Sequence, residues 1–434
     1  MAVKNVLRLT AGSGLVVAIV FVAGSTVRHG YEPIQPGGDP RVRRAPTPEE
    51  LRPAVEAAFG SESYAPSSLA TLRFFDEADE VRLQLFHVGP ERVRTVGSSE
   101  MHGVPVSREV EIGDATTGRT IRVAVGQWPS GLYFARLDAG DGRVGFAPFV
   151  VGPRRLGTNR VAVVMPTFTW QAYNIRDDDG DGVGNSWYAN RFDNVVRLGR
   201  PFLNRGVPFR FAEYDLRFLH WLARHDKHVD FLTDGSLDRV PSAGALARAY
   251  DLVVFPGHDE YVTKHEYDVA QGYRDLGGSL AFLSADDFYW RVVRRGNELV
   301  RTRAWRNLGR PEAALIGVQY VASRPRFGRY VVVGAGARTE PWLFAGTGLE
   351  NGSRFGHGGI EIDAVAPSSP GDVMVVARIP NIFGPGIDAD MTVYRTSGGG
   401  TVFAAGAFTL AASSVRPAVS RLLENLWEHA TSGL

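Results

Sequence analysis

Val161-Ala-Val-Val-Met165 is an uninterrupted apolar run, followed at once by the polar and aromatic segment Pro166-Thr-Phe-Thr-Trp-Gln-Ala-Tyr-Asn174. Three similar runs come later in the chain: Val229-Asp-Phe-Leu232, Leu252-Val-Val-Phe255 and Ser279-Leu-Ala-Phe-Leu283. They alternate with segments of helical periodicity over Leu216–Arg224, Ala243–Tyr250 and Thr263–Leu276. Apolar strands separated by helices are typical of a parallel sheet covered on both faces, so we predict an α/β fold.

The region after about residue 310 is rich in glycine. It contains β-like runs over Tyr330–Val333, Val373–Ile379 and Thr401–Ala405, and it ends in an amphipathic helix over Arg416–Ala430. We interpret it as an extension that completes the α/β domain, which then spans residues 158–434.

The hydrophobic pattern of residues 67–153 has a different period. Polar and apolar residues alternate, as in Val81–Val88 and Ile121–Val125, and turn signals such as Ala139-Gly-Asp-Gly142 separate the runs. Short alternating strands at this spacing predict a small antiparallel β-sandwich of the immunoglobulin-like type, which we interpret as a spacer that orients the next domain.

The N-terminal part is typical of an exported protein. Lys4 and Arg8 precede the uncharged run 9–27, and small residues follow its apolar centre. Residues 1–30 therefore predict either a cleaved signal peptide or a retained membrane anchor, with the body outside the cytoplasm in both cases. Residues 31–66 are rich in proline, and we predict a linker that contains one short helix over 48–59.

Composition excludes several classes of function. Lys and Arg number 48 and Asp and Glu 47, so the net charge of +1 provides no basic surface for nucleic acid. The chain contains no cysteine, which excludes disulfides, thiolate metal sites and a cysteine nucleophile. Any chemistry must therefore come from oxygen and imidazole groups.

Polar residues follow three of the predicted strands at the edge where parallel sheets bind ligands. The second of these loops, Gly257-His-Asp-Glu-Tyr261, contains His258 and Glu260, which are suited to metal binding or acid–base chemistry. From spacing alone, a structural histidine and a carboxylate at the start of the next helix are the more usual explanation of this loop.

Together these loops resemble the large, or beta, subunit of N,N-dimethylformamidase and its relatives. The resemblance runs from about residue 69 to the C-terminus and rests on the following motifs: Pro166–Asn174, Trp187-Tyr188, Glu213-Tyr-Asp-Leu216, Asp230-Phe-Leu-Thr-Asp234, Phe255-Pro-Gly-His-Asp-Glu-Tyr261, Phe288-Tyr-Trp290 and Ala389-Asp-Met391. It implies a domain like that of class I glutamine amidotransferases, of flavodoxin-like architecture, with a mononuclear iron centre in place of a cysteine nucleophile.

The resemblance also implies a ligand set. Its motifs assign the iron, expected in the ferric state, to Tyr173, Tyr214 and Glu260, and they place His258 beside the reaction centre. Phenolate and carboxylate oxygens are hard ligands that suit such an ion. Considered singly, the two tyrosines would be interpreted as core or rim aromatics.

One position departs from the family pattern. The family usually carries an asparagine in the turn before Phe288-Tyr-Trp290, where this chain has Asp286. A carboxylate there would repel developing negative charge unless it is protonated or points away, which puts amidase activity in question. Asp286 therefore joins His258 and Glu260 as the third predicted catalytic position.

A separate acidic loop matches the start of a calcium-binding sequence. Asp177, Asp179 and Asp181 alternate before Gly182, but the twelfth position is Tyr188 instead of glutamate. The loop predicts either a weak calcium site or a solvated acidic turn.

The sequence thus predicts an exported, iron-dependent hydrolase that cleaves a C–N bond in a small non-peptide amide. The alternative is a non-catalytic extracellular protein that keeps the fold and binds a ligand such as a carbohydrate. Nucleic acid is not an expected partner, whereas a membrane tether through residues 9–27 and a homo-oligomer both remain open.

Overall fold

The computed structural model describes residues 44–47, 50–95 and 97–432 of the chain. The predicted signal or anchor at 1–30 lies outside these residues. Within them, no helix is both long enough and apolar enough to cross a membrane.

The N-terminal region consists of two sheets that share one core. Its strands are β1 (Ala57–Phe59), β2 (Ser63–Tyr64), β3 (Leu69–Phe74), β4 (Ala78–His87), β5 (Val104–Pro105), β6 (Val110–Ala115), β7 (Thr120–Ala124), β8 (Gly131–Asp138) and β9 (Val144–Val151). One sheet has the order β1-β3-β7 and the other β2-β9-β8-β4-β5, with β6 on β4. All pairs are antiparallel except β2 with β9. Apolar residues from both sheets, such as Leu72 and Phe149, form the core between them.

The short helix predicted over residues 48–59 is wrong, because residues 51–56 are not helical and Ala57–Phe59 form β1. All three side chains are buried, and β1 pairs with β3 from Ala57 opposite Phe74 to Phe59 opposite Leu72. Tertiary pairing therefore outweighs the local helical pattern.

The C-terminal region is built around a nine-stranded sheet. Its first half contains β10 (Val161–Met165), α1 (Thr167–Ala172), β11 (Val195–Arg197), α2 (Phe211–Tyr214), α3 (Leu216–Arg224), β12 (Asp230–Thr233), α4 (Asp234–Leu237), α5 (Ala243–Ala249), β13 (Leu252–Phe255), β14 (Tyr261–Thr263), α6 (Lys264–Asp275) and β15 (Ser279–Phe282). Its second half contains β16 (Trp290–Arg295), β17 (Glu298–Ala304), α7 (Ala313–Ile316), β18 (Gln319–Val332), α8 (Gly334–Thr339), α9 (Pro341–Phe344), β19 (Arg354–Ala364), β20 (Met374–Ile379), β21 (Ala389–Arg395), β22 (Thr401–Ala404) and α10 (Pro417–Thr431). Two short 3-10 helices cover Trp305–Leu308 and Ala411–Ser413.

Strands β12-β10-β13-β15-β22 are parallel neighbours, which confirms the predicted parallel sheet and the α/β class. Every residue of β10 is buried, and alternate side chains enter different cores: Val163 lies in one and Val164 in the other. Both faces of the strand are thus covered, which explains why it is apolar throughout.

The sheet continues past β22 through the antiparallel order β21-β20-β18-β19. The glycine-rich extension therefore completes the sheet, as predicted, although β18 is longer than the predicted run Tyr330–Val333, and β19 and β21 were not predicted. A second, four-stranded sheet of order β11-β17-β16-β14 was not predicted at all.

Local start and stop signals fix α6 as predicted. Thr263 caps its first turn by accepting the N–H of Glu266, whose carboxylate accepts the N–H of Thr263 in return. Gly277 follows the helix with φ of +91°, and a Cβ there would lie 2.4 Å from the carbonyl oxygen of Gly398. Only glycine fits both the backbone conformation and this close approach.

In order along the chain, the five parallel strands follow the spatial pattern 2-1-3-4-5. In such a sheet the connections leave in opposite directions from β10 and β13, so that a crevice opens beyond their carboxyl ends. The segments after β10 and β13 border this crevice, and they are the loops in which the sequence analysis placed Tyr173, His258 and Glu260.

Candidate functional site

Tyr173 and Glu260 reach the crevice from neighbouring strands. Tyr173 is the C-terminal cap of α1, the helix that follows β10, and its N–H donates to the carbonyl of Thr169. Glu260 lies between β13 and β14, and its N–H donates to the Thr169 hydroxyl at 3.1 Å. Thr169 therefore fixes the backbone positions of Tyr173 and Glu260 relative to each other.

Three polar side chains meet at the centre of this site. The Tyr173 hydroxyl donates to Glu260 Oε2 at 2.9 Å and lies 3.3 Å from His258 Nε2. His258 Nε2 is also 3.2 Å from Glu260 Oε2. The structure thus brings together three residues that the sequence analysis had selected from two separate loops.

The His258 ring has a defined orientation. Its Nδ1 lies 2.9 Å from the carbonyl oxygen of Ala285, and a carbonyl can only accept, so Nδ1 carries a proton. In the neutral ring, Nε2 then presents its lone pair to the cluster. Such a hydrogen bond from the distal ring nitrogen is the usual support for a histidine that binds a metal or transfers a proton.

Glu361 is a member of the cluster that the sequence analysis missed. It lies on β19, is 3% exposed, and places Oε2 at 3.3 Å from His258 Nε2. The alternation of acidic and apolar residues in Glu361-Ile-Asp363, within a strand that is otherwise buried, was the available signal. Charged residues are rarely fully buried without a partner or a function.

Charge and burial set the protonation of this cluster. Burial alone would lower the pKa of His258, but the carboxylates of Glu361 and Glu260 outweigh it and raise that pKa to about 10. Burial raises the pKa of Glu361 to about 7, although the nearby His258 opposes the change. Burial and the same two carboxylates hold the pKa of Tyr173 well above its usual range, so its phenol is neutral in this state.

Tyr214 lines the same cleft but has a different polar partner. Its hydroxyl accepts a hydrogen bond from Arg210 Nη1 at 3.0 Å, and its ring packs on Phe408 with the centroids 4.3 Å apart. Burial raises the pKa of its phenol despite the opposing effect of Arg210. Tyr173, Tyr214, His258 and Glu361 all contribute to the wall of this cleft.

Asp286 approaches the cluster from the turn after β15. Its N–H donates to Asp363 Oδ1 at 2.9 Å, while its own Oδ1 is buried and has no hydrogen-bond partner among the described residues. Donor atoms of His258, Glu260 and Asp286 all lie within 4.8 Å of one another. Burial, followed by the charges of Glu260 and Glu361, raises the pKa of Asp286 well above its usual range.

The site fits a hard metal cation. Glu260, Glu361 and Asp286 are buried around a single imidazole, so that negative charge exceeds positive charge where water cannot screen it. Such a cluster must bind protons or a cation to be stable. The available donors are carboxylate and phenol oxygens with one imidazole, and these favour oxidised iron over soft metals.

Backbone strain is concentrated around the same residues. Asp286, Phe288, Ile360 and Thr409 all have φ between +56° and +77°, and each lies in or beside a segment that contacts the cluster. This backbone conformation is sterically unfavourable for the β-branched residues Ile360 and Thr409 in particular. Strain of this kind persists where the fold must aim specific side chains, here those of Asp286 and of Glu361, next to Ile360.

Asp177, Asp179 and Asp181 lie close together in the acidic loop, with donor oxygens within 4.8 Å of one another. Asp177 already accepts hydrogen bonds from the N–H groups of Asp179, Gly180 and Gly182. Asp179 and Asp181 are exposed. This geometry is that of an acidic turn, and the calcium site stays a prediction.

Asp215 gives a pH-dependent test of the electrostatics of the cleft. It is 2% exposed, its Oδ1 has no hydrogen-bond partner within the described part of the chain, and burial raises its pKa to about 7. Because the folded-state pKa is raised, the protonated Asp215 carboxyl contributes to the free energy of unfolding. This contribution is fully present below the unfolded-state pKa near 3.8, and it is lost as the pH rises through about 7. Asp215→Asn should remove this loss.

We expect the stabilisation by Asp215→Asn, measured by urea unfolding of chelator-treated protein, to be larger at pH 8 than at pH 4.5 by on the order of 2 kcal/mol. Asp226→Asn is the control, since the Asp226 side chain is 91% exposed. An equal effect of Asp215→Asn at both pH values would contradict the raised pKa.

Comparison with known proteins gives one extensive match. The family model described as N,N-dimethylformamidase beta subunit-like, C-terminal, matches residues 105–413. No curated protein matches the chain.

Likeness to solved structures is weak. A superoxide reductase (neelaredoxin) variant from Ignicoccus hospitalis is 12% identical over 23% of this chain and 83% of its own, with a TM-score of 0.16. A structure titled PhoD is 10% identical over 86% of this chain and 98% of its own, with a TM-score of 0.22. Likenesses at this level carry no argument about fold or function.

Proposed function

Because the chain belongs to the N,N-dimethylformamidase beta subunit-like family, we propose that it is a metal-dependent hydrolase that cleaves the C–N bond of a small non-peptide amide. The proposed cofactor is a mononuclear ferric iron held by Tyr173, Tyr214 and Glu260. The proposed architecture is an amidotransferase-like domain preceded by an immunoglobulin-like module. The 2-1-3-4-5 order of the parallel strands supports the first, and two sheets around a shared core support the second.

The observation that carries the proposal is the meeting of Tyr173, His258 and Glu260 within 3.3 Å at the switch point of the sheet. Structural tyrosines normally place the ring in the core and the hydroxyl in water. The Tyr173 hydroxyl instead faces two buried ionisable groups, where its phenolate form would need a cation. Tyr214 presents a second phenol to the same cleft, with Arg210 favouring the ionised form.

Bound iron would act as a Lewis acid on the amide carbonyl and would lower the pKa of a coordinated water. Around it, this chain supplies the walls and the proton carriers. Phe209, Ile360 and Phe408 line the cleft and exclude water from a small substrate. His258 holds its Nε2 between Glu260 and Glu361, close enough to exchange a proton with either carboxylate.

Hydrolysis of an amide consumes one water, breaks the C–N bond and yields a carboxylic acid and an amine, so one proton must reach the departing nitrogen. The His258–Glu361 pair can carry it, because the pair holds a proton between two buried groups near neutral pH. Glu260 remains the metal ligand in this scheme.

The proposed location is outside the cytoplasm, with the N-terminal segment serving as signal or anchor. The basic flank and the uncharged run 9–27 support this part of the proposal. The proposed partner is the small-molecule substrate.

Amine release tests the proposal directly. Full-length protein loaded with iron should release dimethylamine from N,N-dimethylformamide, or amine from another small amide in a panel, and treatment with a chelator should abolish the release. Readdition of iron should restore it. Absence of release from every amide by protein that contains iron would contradict the hydrolase proposal.

The second candidate is a ligand-binding protein without turnover, and Asp286 is the observation that favours it. A buried carboxylate replaces the neutral amide that the family usually carries beside the reaction centre. In that case the iron-loaded protein should bind an amide, detected by calorimetry, without releasing amine.

A further inference from the structure

Asp286 has no structural explanation within the fold. Its side chain is 6% exposed, and Oδ1 is buried without a hydrogen-bond partner in the described residues. Leaving such an atom unpaired destabilises the folded state, and more so when the group is charged. The sequence nevertheless keeps an acid here, on a residue whose backbone is held at φ of +56°.

The surroundings of Asp286 contain more acids than bases. Glu260 approaches it from the loop between β13 and β14, Glu361 and Asp363 approach it from β19, and Glu312 adds a further negative charge. Arg306 is the nearby arginine, but it is committed to an ion pair with Glu312. His258 is the other base near Asp286, but it already faces Glu260 and Glu361, so that carboxylates outnumber bases in this cluster.

Geometry defines what the carboxylate faces. One oxygen of Asp286 lies within 4.8 Å of donor atoms of both His258 and Glu260, which are themselves 3.2 Å apart. Donors at such separations can reach one ion with modest side-chain adjustment, because metal–oxygen bonds are about 2 Å long. The strained turn thus places the Asp286 carboxylate close to the Glu260 carboxylate that would hold a metal.

We propose that Asp286 is an additional ligand of the metal centre, so that this chain adds a second carboxylate to the donors Tyr173, Tyr214 and Glu260. The inference rests on the proposed function, since it requires that a metal is bound there. A further anionic donor stabilises the ferric state and makes the ion a weaker Lewis acid. The residue at position 286 would thereby determine the reduction potential and the Lewis acidity of the iron in this chain.

Asp286→Asn is the most informative variant. Asparagine has nearly the same shape, tolerates positive φ and lacks the charge. Asp286→Gly removes the side chain and suits the same backbone conformation, so a folding failure of one variant leaves the other. Asp287→Asn is the matched control: it removes a buried acid one residue away, and its amide oxygen can still accept the N–H of Asp259.

The measurements are made on full-length protein loaded with iron, and they compare iron retention against a competing chelator, the visible absorption maximum and the reduction potential. We expect Asp286→Asn and Asp286→Gly to weaken iron binding at least tenfold, since even outer partners of ligands contribute about 10–100-fold. The phenolate-to-iron band should move to longer wavelength, and the reduction potential should rise. Asp287→Asn should match the parent in all three.

Two other outcomes are distinguishable. If the parent binds iron and both Asp286 variants retain its affinity, absorption maximum and potential, the ligand role of Asp286 is overturned while the metal centre stands. If the parent binds no iron at all, the proposed function and this inference both fall.

Discussion

Glu260→Gln should abolish iron binding and turnover together. Glu260 is 5% exposed and its Oε2 is the point where Tyr173 and His258 converge. A neutral amide cannot supply the anionic donor that offsets a buried cation, so we expect the affinity for iron to fall by more than about a hundredfold, beyond the usual effect of an outer partner. Amine release should fall to the background rate. Iron is measured by elemental analysis after dialysis.

The control for this variant is Glu298→Gln, at the start of β17. The Glu298 side chain is 46% exposed and lies 3.9 Å from Arg197, a distance at which a surface ion pair contributes little. Iron content and activity should be unchanged in the control. Parent-like iron content in Glu260→Gln would rule out Glu260 as a ligand.

His258→Asn should lower turnover by roughly 10²–10⁴-fold, the range typical of losing a positioned acid–base group. The reason is that His258 Nε2 lies 3.2 Å from Glu260 and 3.3 Å from Glu361, so its removal breaks the only imidazole link between those carboxylates among the described residues. Iron content should be retained, because the proposed ligands remain. Steady-state amine release and elemental analysis on the same sample separate the two effects.

His265→Asn is the control for His258→Asn, because it makes the same substitution at a histidine outside the cleft. His265 lies on α6 and contacts the carbonyl of Val240, away from the cleft, so its replacement should leave turnover unchanged. If His258→Asn loses iron as completely as Glu260→Gln, His258 is a ligand and the proton-carrying role assigned to it is wrong.

The parallel half of the fold could be predicted from sequence because its signals are local. Val161–Met165 and Leu252–Phe255 are strands with the predicted bounds, and Leu216–Arg224 is a helix with the predicted bounds. Burial on both faces makes each such strand apolar throughout, and a helix carries its own cap and stop signals. No knowledge of distant partners is needed to identify them.

The antiparallel half and part of the site depend on partners that are distant in sequence. β18 and β19 pair over many residues with several register shifts, which no local pattern specifies. Glu361 reaches His258 only through that pairing, and for this reason it was missed. Asp286 was identified as unusual from the family pattern, but the lack of a partner for its carboxylate could be seen only in three dimensions.

Tyr173 and Tyr214 show the limit of interpreting single residues. In isolation each matches a buried rim aromatic, and their assignment as ligands came from the family motifs. The structure brings both rings to one cleft, but it joins only Tyr173 directly to Glu260, whereas the hydroxyl of Tyr214 accepts a hydrogen bond from Arg210. The two-tyrosine ligand set therefore remains a proposal.

The most direct test of the metal centre is the iron content and visible spectrum of full-length protein purified from cells supplied with iron. The account predicts close to one iron per chain together with a phenolate-to-iron charge-transfer band, which Tyr173→Phe should weaken or shift. A colourless protein without iron, from the same preparation and correctly folded by circular dichroism, would contradict it.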